Sequence, residues 1–348
     1  MRVGVLTGGG DCPGLNAVIR AVTLALVQHD PRVEVLGVER GFLGLVEGHL
    51  RPVLPEQVRD LLDEGGTLLG THNRANPFDY QGRDASAEAL SVARRAGLDC
   101  LVAIGGDGTL TLAARFAELG LPVVGVPKTI DNDIAGNERS FGFDSAVAVV
   151  ADALNRLKTT AASHHRIMVV ETMGRDAGWI ALEGGLAGGA DAIVIPEQPF
   201  ALEALARRLE ACVARQGHGL VCVAEGAGLG DGAQLWQQLP DGVSRLGGIG
   251  NALVHALAGR WPDVEVRATV LGHLQRGGAP TAFDRVLATR FGVAAAQAVV
   301  DGQFGITVAL QGDRCVHVPL SAVAGQNRRV PAGHELLRCA QALGALPE

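Results

Sequence analysis

The stretch Leu101 to Asp133, LVAIGGDGTLTLAARFAELGLPVVGVPKTIDND, decides the fold class. Two apolar runs of strand length, LVAIGG and PVVGVP, each empty into a polar loop, with the helix-like TLAARFAEL between them. The first loop is Asp107-Gly108-Thr109 and the second Lys128-Thr129-Ile130-Asp131-Asn132-Asp133. Both follow a strand end, the place where an open α/β sheet holds its ligand.

The same pattern recurs along the chain. Strands are predicted at Val3–Thr7, Val33–Val38, Leu98–Ile104, Pro122–Val126, Arg166–Glu171, Ala190–Ile195, Leu220–Ala224 and Val264–Leu271, each followed by a helix-like segment. LEALARRLEACVARQ puts Leu202, Leu205, Leu209 and Cys212 on one helix face, suited to covering a largely parallel sheet. The class is doubly wound α/β. At 348 residues the chain exceeds one ordinary core, because single cores stop growing near ~250 to 300 residues, so two domains are expected. The stretch Asp231 to Gly248, interrupted by Gly232, Pro240 and Gly242, reads as an irregular surface loop.

A net charge of −7 lacks the basic footprint of a nucleic-acid or membrane-surface binder, so neither partner is expected. Lys128 and Lys158 are the only lysines, which singles out Lys128 within its loop. Cys12, Cys100, Cys212, Cys222, Cys315 and Cys339 form no CxxC pair and lie in or beside apolar segments, the pattern of reduced, buried thiols. The chain opens directly on a strand, VGVLT, with no apolar run of ~18 residues, and a cytoplasmic location is expected.

Three loops carry chemistry. Gly8-Gly9-Gly10-Asp11-Cys12-Pro13-Gly14 lies between a strand and a helix starting near Leu15, and suits either a phosphate cradle or a tight turn. It is not a Walker A loop, since Leu15-Asn16 stands where Lys-Ser/Thr is required. In Gly105-Gly106-Asp107-Gly108-Thr109, a carboxylate between glycines can hold Mg²⁺ beside a nucleotide, with Thr109 capping the next helix. The third loop crowds Lys128, Thr129, Asp131 and Asp133 into six residues, a charge density that calls for a ligand or metal.

GGDCPGLN, GGDGTL, PKTIDND, ETMGRDAGW and LGHLQRGG, in this order, resemble the 6-phosphofructokinase family, with the match weakest after about Val318. The resemblance implies two doubly wound Rossmann-like domains with the active site in the cleft between them. The expected division is 1–140 plus 251–302 for nucleotide and 141–250 plus 303–348 for sugar phosphate. It implies glycolytic phosphoryl transfer from ATP to the 1-hydroxyl of fructose 6-phosphate, giving fructose 1,6-bisphosphate and ADP. Asp131 would be the general base, joined in catalysis by Thr129, Asp133 and Arg175. Gly10, Arg74, Gly106, Asp107, Gly108 and Thr109 would bind the nucleotide, with Asp107 on Mg²⁺. The sugar phosphate would fall to Thr129, Ile130, Asp131, Met173, Gly174, Arg175, Glu225, His273, Leu274, Gln275 and Arg276. Arg166 and Arg267 would complete a neighbouring subunit's site, so a homo-oligomer is expected, a tetramer or else a dimer.

Two departures from the family pattern bear on donor and regulation. ATP users carry Gly at the position of Gly108 and Gly at that of Lys128, whereas pyrophosphate users carry Asp and Lys; this chain mixes them. Gly108 leaves room for the α-phosphate, which favours ATP, with pyrophosphate as the alternative donor. Leu24 stands where allosteric members carry a second arginine after Arg20, so weak regulation by ADP and phosphoenolpyruvate is expected. A non-catalytic subunit sensing sugar phosphate or nucleotide is the remaining alternative, opposed by the presence of Asp107, Asp131, Asp133 and Arg175.

Overall fold

The computed structural model describes residues 1–229, 233–238 and 244–347. Its strands in chain order are β1 (Arg2–Gly8), β2 (Glu34–Val38), β3 (Leu50–Pro52), β4 (Cys100–Gly105), β5 (Val123–Pro127), β6 (Ile167–Thr172), β7 (Ala192–Val194), β8 (Gly219–Ala224), β9 (Gly228–Leu229), β10 (Ala233–Gln234), β11 (Trp236–Gln238), β12 (Ser244–Leu246), β13 (Val266–Val270), β14 (Ile306–Gln311) and β15 (Arg314–Pro319). The helices are α1 (Leu15–His29), α2 (Phe42–Glu47), α3 (Pro55–Val58), α4 (Ser86–Arg95), α5 (Asp107–Glu118), α6 (Phe143–His164), α7 (Trp179–Ala187), α8 (Leu202–Gln216), α9 (Ile249–Leu257), α10 (Ala282–Val300), α11 (Leu320–Val323) and α12 (Glu335–Ala342). Every strand expected from the sequence forms within two residues of its predicted span.

The chain divides into two compact units. The first comprises Met1–Ile130, Ile134–Ser145 and Arg276–Asn327, and the second Asp131–Asp133, Ala146–Gln275 and Arg328–Glu348. These bounds differ from the expected 140, 250 and 302. Residues 303–327 join the first unit because β14 pairs with β5 in parallel and β15 closes back on β14 in antiparallel. A two-residue turn at Gly312-Asp313, with Gly312 at φ +60°, makes that hairpin.

The first sheet runs β15-β14-β5-β4-β1-β2-β3. Strand order reverses at β1, so the loops following β1 and β4 flank a switch point. β4 and β5 are buried at every residue, as strands covered on both faces must be, which is why they read as continuous apolar runs. On one face Leu6, Leu101, Ala103 and Val123 pack with Phe42, Leu110 and Phe116. Against this unit's other helices α1 packs along α10, and Gly292 permits it: a Cβ there would stand 2.6 Å from Ala21 Cβ.

In the second unit four parallel strands run β13-β6-β8-β7, and the order reverses at β6, so the loops after β6 and β13 are neighbours. Helix α8 turns Leu205, Leu209 and Cys212 into the core, with Leu202 half-buried at its edge. Within the stretch expected as one irregular loop, β10 pairs antiparallel with β9, which lies just before it, and β11 with β12; Gly232, Pro240 and Gly242 lie outside the described residues.

All six cysteines are free thiols. Four are buried as expected, but Cys315 is half-buried and Cys339 exposed. Among the described residues no helix is long and apolar enough to cross a membrane.

Candidate active site

At the first unit's switch point, glycine is required by one side chain. Thr109 is buried against the ends of β1 and β4, where a Cβ at Gly8 would meet its Oγ1 at 2.6 Å and a Cβ at Gly105 its Cβ at 2.3 Å. Thr109 is therefore not the cap expected for α5. The N-cap is Gly106, which offers no side chain, and Thr109 sits in the helix's first turn as a plug between two strands. Helix α1 likewise starts from Gly14, at φ +103°, without a side-chain cap. Two helix starts at one switch point thus keep first-turn N–H groups available to an anion.

Asp107 opens α5, where a carboxylate is favoured by the helix dipole. Its Oδ1 accepts hydrogen bonds from Gly325 N at 2.7 Å and Thr111 Oγ1 at 3.4 Å. Among the described residues no cluster of three metal-ligating side chains occurs. A single carboxylate suits Mg²⁺, which keeps several waters and arrives largely on substrate phosphates. A Cβ at Gly108 would meet nothing within 4 Å, so a larger side chain there would project into open space.

Two cations converge on the first loop. Lys128, only 3% exposed, donates through Nζ to Gly10 O. Arg276 donates from Nη1 to Asp11 O at 3.0 Å and lies so close to Gly10 that a Cβ there would stand 2.7 Å from it. The sequence grouped Arg276 with His273, yet Arg276 belongs to the first unit and packs on its glycine loop. Thr71 Oγ1 ties down Gly9 O at 2.5 Å, and Arg74 is exposed, its N–H donating to His72 Nδ1. Cys12 is fully buried beside this cluster, and burial pushes its thiol up to about 12, so it is not a nucleophile.

The second unit gathers Asp131, Asp133 and Arg175. Arg175 is held further towards its charged form chiefly by a 2.8 Å hydrogen bond to Asp176, and then by the field of Asp176, Asp131 and Asp133. Asn132 is buried at φ +53°, a left-handed conformation that Asn tolerates, so the chain reverses sharply between the two acids. Arg328, which sequence reasoning missed, meets this bend. Its N–H donates to Asp133 O at 2.7 Å and its Nη1 to Asn132 O at 3.1 Å.

Met173-Gly174-Arg175 and Glu225-Gly226 form one tight pair of loops. Glu225 N donates to Thr172 O at 2.8 Å and Gly226 N to Gly174 O at 3.1 Å. A Cβ at Gly226 would lie 1.9 Å from Arg175 O, an approach only glycine permits. Across the switch point, buried Gln275 accepts from Met173 N at 3.3 Å, while His273 and Leu274 are exposed on the same turn. Two buried or half-buried carboxylates brace these loops. Glu171 accepts from Gly248 N and Gly250 N at the start of α9, and Glu197 accepts from Gly178 N at the start of α7 and from Val330 N.

Arg166 and Arg267 stand elsewhere. They flank the starts of β6 and β13, at the opposite strand ends from Met173 and Glu225, and share Glu265, 2.7 Å from Arg166. Those hydrogen bonds, Arg267's first, hold the Glu265 carboxyl below its usual range. Arg20 and Leu24 line a separate cavity of about 670 Å³ with Arg59 and Val293, where Arg20 donates to Arg59 O. Signals for Glu265 and Glu197 were absent because lone acids without a motif resemble any surface carboxylate, whereas Glu171 opens the ETMGRDAGW motif.

The profile of the family described as Phosphofructokinase matches residues 2–299. The chain is 48% identical to the pyrophosphate–fructose 6-phosphate 1-phosphotransferase of Amycolatopsis methanolica, covering 95% of this chain and 96% of that one. It is 47% identical to the ATP-dependent 6-phosphofructokinase of Chloroflexus aggregans, covering 99% and 96%. Among solved structures, phosphofructokinase of Pichia pastoris in the T-state superposes with a TM-score of 0.80 at 31% identity, over 99% of this chain and 38% of that one.

Proposed function

The chain belongs to the phosphofructokinase family, and on that premise we propose that it transfers the terminal phosphoryl group of ATP to the 1-hydroxyl of fructose 6-phosphate. The products are fructose 1,6-bisphosphate and ADP, a glycolytic reaction of the cytoplasm. The first unit takes the donor, held by Gly10, Arg74 and Gly106 to Thr109, and the second takes the sugar through Met173, Gly174, Arg175 and Glu225. His273, Leu274, Gln275 and Arg276, with Thr129 and Ile130, complete the grip on sugar and transferring phosphate. The observation that carries the ATP reading is the open space at Gly108.

Asp131 accepts the proton from the 1-hydroxyl while the oxygen attacks phosphorus and the bond to the leaving ADP oxygen breaks. A carboxylate is the side chain suited to take up that proton. Thr129 donates to the phosphoryl group in flight, Arg175 neutralises its charge, and Asp133 shares the polar environment. Phosphoryl transfer depends mostly on such positioning and charge neutralisation. Asp107 would hold Mg²⁺, which would supply positive charge to the donor phosphates. Arg166 and Arg267, lying at the far strand ends from the sugar loops, serve the 6-phosphate of a neighbouring subunit in a homo-oligomer.

A second reading, pyrophosphate as donor, is favoured by Lys128 on Gly10 O and by the name of the Amycolatopsis relative. Initial rates with each donor decide between them: faster turnover with pyrophosphate would overturn the ATP assignment. Gly108→Asp should lower kcat/KM for ATP by roughly tenfold or more without moving the thermal midpoint, since its side chain meets only the ligand's space. Asp131→Asn should lower kcat by about 10² to 10⁴ while still binding both substrates; retained turnover would refute the base.

A further inference from the structure

The C-terminal segment after Asn327 carries no motif, yet its first residue touches the loop that bears Asp131. We infer that Arg328 is a positioning residue for Asp131, fixing the bend of the third loop through Asn132 and Asp133. The inference rests on the reading of Asp131 as the base.

Three observations in the second unit carry it. The bend is held at two consecutive carbonyls: Arg328 N–H donates to Asp133 O at 2.7 Å and its guanidinium to Asn132 O at 3.1 Å. Asn132, between those acids, has φ +53°, the left-handed conformation by which the chain turns from one acid to the other. Arg328 is itself anchored on a rigid support. Its guanidinium carbon lies 4.2 Å from the centroid of the Trp179 ring, and Trp179 Nε1 donates to Arg328 O at 3.1 Å. Trp179 is 2% exposed, and His334 stands edge-on to it with ring centroids 4.9 Å apart. Two residues on, Val330 N donates to Glu197, the carboxylate that also caps the start of α7.

The result is a brace from the start of α7 through the tail to the carbonyls flanking Asn132. A planar guanidinium suits the task, since one face covers the indole while an in-plane N–H reaches the carbonyl. Without it the bend keeps the backbone donor but loses the bond to Asn132 O, and the carboxylate of Asp131 spends less time aligned with the attacking hydroxyl. A displacement near 1 Å at a reacting group can cost about 100-fold in rate.

The test uses the full chain with fructose 6-phosphate and ATP. Arg328→Met keeps the apolar stem on Trp179 and the backbone donor, and removes the bond to Asn132 O. It should lower kcat roughly 10- to 100-fold with KM for ATP within about twofold of the parent. Arg328→Lys, retaining one donor, should recover most of that loss. In an Asp131→Asn background the same Arg328→Met change should cost less than about threefold, because the group it positions is gone. An unchanged kcat in folded Arg328→Met, or an equal loss in both backgrounds, overturns the inference. Should Arg328→Met fail to fold, Trp179→Phe, which removes the donor to Arg328 O, carries the same expectation of a kcat loss at constant KM for ATP. Full turnover by Asp131→Asn alone would sink the base and this inference with it. An inactive Asp131→Asn beside an unaffected Arg328→Met sinks only the inference.

Discussion

Helices begin at the switch points of both sheets, but the two units treat those beginnings oppositely. In the first, α1 and α5 start from Gly14 and Gly106 without side-chain caps. In the second, the starts of α7 and α9 are met by the protein's own carboxylates, Glu197 on Gly178 N and Glu171 on Gly248 N and Gly250 N. Backbone N–H groups left open can take phosphate, whereas groups already capped cannot. Under the proposed function the first unit would recognise its polyphosphate donor largely with backbone, and the second would hold its sugar phosphate with side chains such as Arg175 and Glu225.

The comparison breaks most sharply at Gly226. In the second unit the tightest approach is backbone against backbone, because a Cβ at Gly226 would stand 1.9 Å from Arg175 O and 2.8 Å from Gly174 O. No side chain can yield there. Gly226→Ala should displace the Met173–Arg175 turn, lowering kcat/KM for fructose 6-phosphate by about 100-fold and stability by ~3 kcal/mol. KM for ATP should stay near the parent value. Unaltered fructose 6-phosphate kinetics would show that the turn's shape is not what binds the sugar.

What sequence could convey follows the same division. Glycine loops after buried strands announce themselves, and β1, β4 and β5 with their loops were readable because apolar runs and φ-demanding glycines are local signals. Antiparallel β14 and β15 were not, since an edge hairpin with mixed burial resembles a surface segment. Thr109 was mistaken for a cap because Thr before a helix usually is one; only the third dimension shows it filling the space vacated by Gly8 and Gly105. Arg276 was read with its neighbours in LGHLQRGG, although the chain passes from one unit to the other between Gln275 and Arg276. Arg328 and Glu197 act by meeting backbone atoms remote in sequence, and no spacing rule reports that.

A milder and reversible effect is expected at the first unit's switch point. A Cβ at Gly8 would stand 2.6 Å from Thr109 Oγ1 and 3.1 Å from its Cγ2, but 3.4 Å from its Cβ, an ordinary contact. Gly8→Ala alone should cost ~1 to 3 kcal/mol and raise KM for ATP several-fold. Trimming the obstacle should cure the fold: Gly8→Ala with Thr109→Ala should regain most of the lost thermal midpoint. No such partner exists for Gly226, so rescue in one unit and not in the other is the discriminating result. Failure of Thr109→Ala to rescue would mean that Thr109 is not the plug.

The smallest effect on turnover is expected where the first unit does use a carboxylate cap, at the start of α6. Ser145 donates from both N (2.8 Å) and Oγ (2.6 Å) to Asp284 Oδ2, and Asp284 is wholly buried at the N-terminal end of α10. Burial raises its pKa from 3.8 to about 6, outweighing the hydrogen bonds from Ser145, and nearby Asp144 adds to the rise. Between those values the folded chain keeps a proton that the unfolded chain has released. Stability from this group is therefore full below pH ~4 and is lost as pH rises through about 6, by at most ~3 kcal/mol for a shift of this size. Asp284→Asn keeps an acceptor for Ser145 and has no proton to lose. The stability of the variant relative to its parent should improve from pH 4 to pH 7, with kcat at neutral pH little changed because Asn keeps the acceptor that Ser145 uses to shape the start of α6. A stability difference that is flat across that range would show that Asp284 is ionised in the fold throughout, making its cap equivalent to those of Glu171 and Glu197.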